Sequence, residues 1–324
     1  LPERSSRCIF ARMIKTKLPL SDKAYLLARA GDRLTKFVAD NGRIRGAYVQ
    51  GNLVLREMAA NHQLGVIETY VLGQGYLAAL LMASTLKGDD RLNLSITVDG
   101  PAGGFTVDAN CYGEVRGSLT NQPFLIPSEW EEPSMSQILG KGFLSVTRFL
   151  EKSLEPMTGT VEYVPASLAQ SLAHYYDLSE QIPTAFVLSL PFDRQGQCMG
   201  AGGLLLQALP GYDLGRWESM VERLYELPSI GENAAEGHDP SALLGFWFSD
   251  FEPKILASHR VEFFCPCSKV KFGKFLGGLP EKDKTEILAD GPIPLETTCH
   301  NCASTYRFER IELEELWKVD GQRN

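Results

Sequence analysis

Four of the chain's seven cysteines crowd into its last 60 residues, as Cys265-Pro-Cys267 and Cys299-His-Asn-Cys302 with 31 residues between the pairs. Two short cysteine pairs a few tens of residues apart meet the requirement of a tetrahedral four-thiolate Zn²⁺ site. Each pair supplies one side of the tetrahedron, and the chain between folds back to join them. His300 lies inside the second pair and reads as facing outward rather than as a ligand. Thiolates are also the form that oxidants attack, so neighbouring cysteines could pair within each motif and eject the metal. A permanently reduced zinc ribbon fits the same spacing, and spacing alone leaves both readings open.

Such a site needs elements to hold it, and residues 259–324 are too few to build much of a core. Zinc binding, about 10 to 16 kcal/mol for small structural sites, would supply a large part of that region's folding free energy. The preceding residues 211–258 read as an acidic helical linker. Within 211–252 there are nine carboxylates against only Arg216 and Arg223, so most of the chain's net charge of −8 sits there. Trp217, Met220, Val221, Leu224 and Tyr225 recur at helical spacing and stop before Pro228. Asp239-Pro240 supplies an N-cap and first-turn proline for a second helix carrying Leu243, Leu244, Phe246, Trp247, Phe248 and Phe251.

Residues 21–210 mix strands with helices. Two β-type runs flank Asp40-Asn-Gly42, a hairpin signal. Leu92, Leu94, Ile96 and Val98 alternate with polar residues, as do Phe105, Val107, Ala109 and Cys111. Helical patterns occupy 74–86 and 167–176. The regular βαβ alternation of a doubly wound sheet is missing, so the expected class is α+β: a mixed sheet-and-helix core, a helical linker and a small C-terminal zinc-binding domain. Residues 1–20 read as a poorly ordered leader. It carries Arg4, Arg7, Arg12, Lys15 and Lys17 against Glu3, without the apolar core of a secretory signal.

Composition narrows the function. With Lys+Arg 32 against Asp+Glu 40, the chain lacks the clustered positive charge of a nucleic-acid or anionic-membrane surface. No uninterrupted apolar run reaches the roughly 18 to 20 residues of a membrane span. An odd cysteine count, with Cys8, Cys111 and Cys198 scattered, is no secreted disulfide framework, and a cytoplasmic setting is expected, organellar if the leader is a transit remnant. Asp99-Gly-Pro-Ala-Gly-Gly104 lacks the Gly-Lys-Ser/Thr ending of a phosphate loop and reads as a hairpin turn. Cys111 reads as a buried small hydrophobe and Cys198 as a free thiol in a turn. His174, Asp177 and Ser179 have the residue types of a hydrolase triad without a nucleophile elbow, and Glu180 and Gln181 read as satisfying backbone or dimer-interface hydrogen bonds.

The sequence resembles the heat-shock protein 33 family, the redox-regulated 33 kDa chaperonins, from about Asp32 to Leu316. Around the cysteines the resemblance rests on Phe264-Cys-Pro-Cys-Ser268, Leu276 to Leu279, Glu281, Ile287-Leu288, and Cys299-His-Asn-Cys302 with Tyr306 and Phe308. In the core it rests on Gly42-Arg-Ile-Arg45, Asp99-Gly-Pro101, Gly113-Glu-Val-Arg-Gly117, Ser179-Glu-Gln-Ile-Pro-Thr184 and Ala201-Gly-Gly-Leu-Leu-Leu-Gln207. It implies that Cys265, Cys267, Cys299 and Cys302 hold one Zn²⁺ while reduced. Oxidation then forms Cys265–Cys267 and Cys299–Cys302 disulfides, releases the metal and unfolds the linker. It further implies no catalysed reaction, homodimers when oxidised, binding of unfolding client proteins without ATP, and their hand-over to ATP-dependent chaperones. The linker's Trp217, Phe246, Trp247, Phe248 and Phe251 are the expected client contacts, with the acidic charge keeping the complex soluble. Two departures, the prolines of Asp290-Gly-Pro-Ile-Pro-Leu-Glu296 and the His-Asn interior of the second pair, touch turn geometry and leave the ligand set intact.

The runner-up is a zinc-ribbon interaction or nucleic-acid-binding module fused to an unrelated core. The 11 basic and 11 acidic side chains of residues 253–324 give it no basic excess to grip phosphates. A redox-thiol enzyme, the third reading, would need thiols already committed to metal.

Overall fold

The computed structural model describes residues 13–126, 134–153, 155–165 and 167–320. Cys8 and most of the basic leader lie outside them. The described chain divides into two compact units, one spanning 17–263 and the other joining the first residues to 264 onward.

The larger unit is built on two sheets. In the five-stranded sheet, the strands run in the order Lys254–Arg260, Arg33–Ala39, Ile44–Gln50, Gly202–Ala208 and Thr184–Ser189, all antiparallel. The expected hairpin is its second pair, turning on Asp40–Gly42 with Asn41 at φ +53. In the six-stranded sheet the order is Glu262–Phe263, Glu114–Leu119, Gly104–Asn110, Arg91–Val98, Gly142–Phe149 and Met157–Glu162, with only the first pair parallel. Asp99 to Gly103 is the turn between two of these antiparallel strands, as expected. Helix Val66–Ala83 packs against strands of both sheets. Helices and strands in this arrangement make the fold α+β.

That central helix begins eight residues before the apolar run suggests, because Glu68 and Gln74 interrupt its hydrophobicity without interrupting its backbone. By length and composition it could cross a membrane, but 13 of its 18 residues are buried within the protein. Helix Leu168–Tyr175 starts on its Ser167 N-cap and continues into a wider turn, Tyr176–Glu180.

The acidic stretch forms three helices, Leu214–Tyr225, Ile230–Ala235 and Pro240–Trp247, where two were expected. The middle one is a six-residue helix capped by Ser229, too short to leave a periodic signature. Asp213 and Asp239 cap the flanking helices by accepting from Arg216 N and Ala242 N. Their apolar faces lie on the five-stranded sheet. Trp217, Met220, Leu224, Leu244, Trp247, Phe248 and Phe251 join Phe37, Ile44, Tyr48, Leu204 and Leu206 in one buried cluster. Phe248 stacks near Phe37, and Trp247 meets Tyr48 edge-on at 5.6 Å. Phe37 has room for its ring because residue 46 is glycine: a Cβ there would fall 2.2 Å from the ring carbon.

The stretch's only two basic residues fasten it. Arg216 pairs with Asp40 at 3.1 Å, donates to Asp250 O and covers the Phe251 ring, while Arg223 donates to Trp247 O. The last residues read as linker are a strand, Lys254–Arg260, on the edge of the core sheet.

The smaller unit carries helices Lys269–Gly277, Glu281–Asp290 and Arg310–Asp320 and a two-stranded sheet, Leu295–Thr298 with Thr305–Phe308. Its buried apolar side chains are few among the described residues: Met13, Tyr306, Phe308 and Leu313 beside the four cysteines. Met13 to Thr16, which the sequence places in the leader, belong to this unit.

Candidate metal centre

The two-stranded sheet brings the second cysteine pair to the first. Cys299 and Cys302 sit in the hairpin between its strands. There Cys299 N donates to Ser304 O, Ala303 N donates to Cys299 O, and Ala303 takes a left-handed φ of +52. Cys265 and Cys267 lie on the segment leading into helix Lys269–Gly277, whose N-cap is Ser268. A tilted ring contact between Phe272 and Tyr306, with centroids 5.3 Å apart, ties this helix to the hairpin.

All four cysteines are buried, and their sulfurs lie within 4.8 Å of one another. Cys265 and Cys299 sulfurs are 3.8 Å apart, and those of Cys267 and Cys302 are 3.3 Å apart. A tetrahedron with metal–sulfur bonds of about 2.3 Å has edges of about 3.8 Å, so the donor set fits Zn²⁺ in number, softness and spacing. His300 is exposed and stands outside this group, as expected.

Two hydroxyls flank the sulfurs. Tyr306 Oη lies 3.2 Å from Cys267 Sγ, and Cys302 Sγ donates to Ser304 Oγ at 3.2 Å. Mutual hydrogen bonding, led in each case by Cys265, drives the Cys267 and Cys302 thiols well above their ordinary range. Cys299 moves down to about 7: its bond with Cys265 pushes it up, and those with Cys267 and Cys302 outweigh that. Four sulfurs this close cannot all ionise without a cation to offset their repulsion.

One contribution escaped sequence reasoning. Met13 is buried at the cluster, and Cys265 N donates to its Sδ at 3.1 Å. Ile14 N donates to Ser304 Oγ, which in turn donates to Ile14 O. No sequence signal marks this, because the contacts are made by a lone Met and a backbone 250 to 290 residues away.

The fold has known relatives. The Hsp33 protein family's profile matches residues 32–309. The chain belongs to the Hsp33 family. A 33 kDa chaperonin from Desulforamulus reducens is 33% identical over 288 residues, covering 89% of this chain and 97% of the relative. One from Lactiplantibacillus plantarum is 32% identical, covering 88% and 97%. The solved Hsp33 homolog of Thermotoga maritima superposes with a TM-score of 0.79 at 26% identity, covering 90% of this chain and 99% of that one.

The other residues singled out from the sequence are scattered. Of the five aromatic residues expected to meet clients, Trp217, Trp247, Phe248 and Phe251 are buried, and only Phe246 is open to solvent, at 73% exposure. Cys111 is not a buried strand residue. The strand ends at Asn110, whose side chain accepts from Tyr112 N and Glu114 N, so Cys111 falls in the turn, half-exposed, donating to Gly88 O. Cys198 is a half-buried free thiol in its turn. Among the described residues no hydrogen bond joins His174, Asp177 and Ser179. Glu180 accepts from the Arg148 and Tyr175 side chains rather than from the backbone or interface groups expected.

Proposed function

We propose that this chain is an ATP-independent holdase, a chaperone that binds unfolding proteins, and that its cysteine centre is a redox switch. The observation that carries the reading is the four-thiolate cluster at the heart of a unit with almost no other core. When bound, Zn²⁺ would offset the charge of Cys265, Cys267, Cys299 and Cys302 and hold the two motifs together. Peroxide takes two electrons and two protons from a pair of thiols, forming one S–S bond and two waters. Pairing Cys265 with Cys267 and Cys299 with Cys302 consumes all four donors and leaves no thiolate for a cation. The sulfurs of Cys265 and Cys299 stand 3.8 Å apart and those of Cys267 and Cys302 3.3 Å apart across the motifs, so pairing within each motif requires the sulfurs to leave these contacts.

Strand Glu262–Phe263 runs directly into Cys265, and edge strand Lys254–Arg260 lies just before it, with almost every residue exposed. An edge strand with so little buried surface is the first part of the core sheet to fray when its neighbour in the chain unfolds. Loosening the acidic helices then uncovers Trp217, Trp247, Phe248 and Phe251 beside Phe246 as apolar contact area, while the carboxylates keep the assembly dispersed.

The reading includes dimers in the oxidised state, delivery of clients to ATP-dependent chaperones, and a cytoplasmic setting. It assigns the chain no catalysed reaction. The deciding experiment measures zinc release and suppression of client aggregation together, before and after peroxide with mild heating. Both should rise in parallel. Protein that keeps its zinc, or releases it without gaining holdase activity, would overturn the proposal. Clients crosslinked only to residues outside 211–252 would overturn the role given to the linker.

A further inference from the structure

Several of the core segments that the thiol switch does not use meet at one place. Arg45, Gln207 and Thr184 lie side by side on three adjacent strands of the five-stranded sheet. Arg45 donates from Nε to Gln207 Oε1 at 2.8 Å, and Gln207 Nε2 donates to Thr184 Oγ1. From the six-stranded sheet comes Arg148, which donates to Glu180 at 3.0 Å. Glu180 also accepts from Tyr175, whose ring meets that of Tyr176 edge-on.

Charge and hydrogen bonding are both incomplete here. Glu180 is the carboxylate of Arg148 and also accepts from Tyr175. Arg45 is half-buried, no carboxylate among the described residues pairs with it, and Nε is the guanidinium nitrogen that donates, to Gln207. Burial lowers its pKa, the direction expected of a cation lacking a counterion. The Tyr176 hydroxyl is buried and has no hydrogen-bond partner of normal geometry, though it faces both arginines. Unmet donors converging on a surplus positive charge are what a planar or tetrahedral oxygen anion requires, and guanidinium nitrogens suit it in pairs.

We propose that Arg45, Arg148 and Tyr176 form a binding site for a small oxoanion, a carboxylate or a phosphate. The site lies in the larger unit and uses none of the cysteines, so it goes beyond the chaperone reading and does not depend on it.

The test uses the full chain in chloride buffer of fixed ionic strength. Calorimetric titrations with inorganic phosphate and with N-acetylglycine separate the two sources of the anion. Saturable binding of either probe, with a matching rise in melting temperature, is the expected result. Arg45→Gln should weaken it about tenfold, the loss of one charge-assisted hydrogen bond. Tyr176→Phe removes a hydroxyl that makes no hydrogen bond of normal geometry in the free protein. It should leave unliganded melting unchanged while weakening binding, which guards against a variant that merely unfolds. Absence of saturable binding by both probes, or binding unaltered in both variants, would sink the proposal.

Discussion

Two sulfurs of the cluster have hydroxyl neighbours, Cys267 beside Tyr306 and Cys302 beside Ser304, and the Cys265 amide is bonded to Met13. Cys265→Ser removes one of four soft donors and substitutes an oxygen that remains protonated at neutral pH. Zinc affinity measured by competition with a chromophoric chelator should fall at least tenfold, and wild-type affinity would refute the ligand assignment. Met13 touches the centre without being a donor. Met13→Ala deletes a buried side chain and the acceptor of the Cys265 amide, a change expected to cost about 2 to 5 kcal/mol in a well-packed site. Faster zinc loss to chelator, with the cysteines untouched, is the expected outcome. Identical release rates would mean that the first described residues do not brace the site.

Asp32 belongs to the same scale and to a different part of the chain. It is buried with Oδ2 accepting from Val54 N at the start of helix Asn52–His62, and with Oδ1 lacking a partner. Burial raises its pKa to about 7, the helix amides pull it down, and Glu57 adds to the rise. A carboxyl raised in the folded state favours folding while protonated. Its contribution is complete below the unfolded pKa, near 4, and disappears as pH climbs to 7. Asp32→Asn keeps an oxygen to accept from Val54 and cannot ionise. Urea midpoints should therefore fall less between pH 5 and pH 8 in this variant than in the parent, and equal slopes would assign the pH dependence elsewhere.

At the scale of elements, the proposed switch acts through the packing of the acidic helices. Phe248 is buried between its own helix and Phe37, so Phe248→Ala leaves a cavity worth about 3 to 5 kcal/mol. The loss falls on the linker's attachment to the sheet, so protease cleavage within 211–252 should accelerate and holdase activity should appear before any oxidant is added. An oxidant requirement identical to the parent's would show that linker release is not the limiting event. Both flanking helices were legible in the sequence, since Asp213, Asp239 and Pro240 mark starts and the aromatic residues repeat with helical period. Strand Lys254–Arg260 was not. Ile255 and Leu256 are consecutive rather than alternating, and an exposed edge strand buries too little to impose a two-residue pattern. The cysteine centre was legible because metal geometry constrains spacing along the chain. Its bracing by Met13 was hidden because tertiary contact constrains nothing local.

Over the whole molecule, the two units differ in what holds them. The unit of 17–263 has two sheets with an apolar helix packed on both, together with the cluster under the acidic helices, and no metal-ligating cluster among the described residues. Among its described residues the other unit buries four apolar side chains and four thiols, and its two-stranded sheet alone is marginal in water. A structural Zn²⁺ worth about 10 to 16 kcal/mol exceeds anything such a core supplies, so removing the ion should unfold this unit while the larger one persists. Reduced protein treated with a strong chelator should therefore lose amide-exchange protection in residues 264–320 and around Met13, yet keep it in the central helix Val66–Ala83. Cooperative loss across both units would show that the larger one also depends on the ion. Retention everywhere would show that hydrogen bonds such as Tyr306 to Cys267 and Ser304 to Ile14 hold the smaller unit without it.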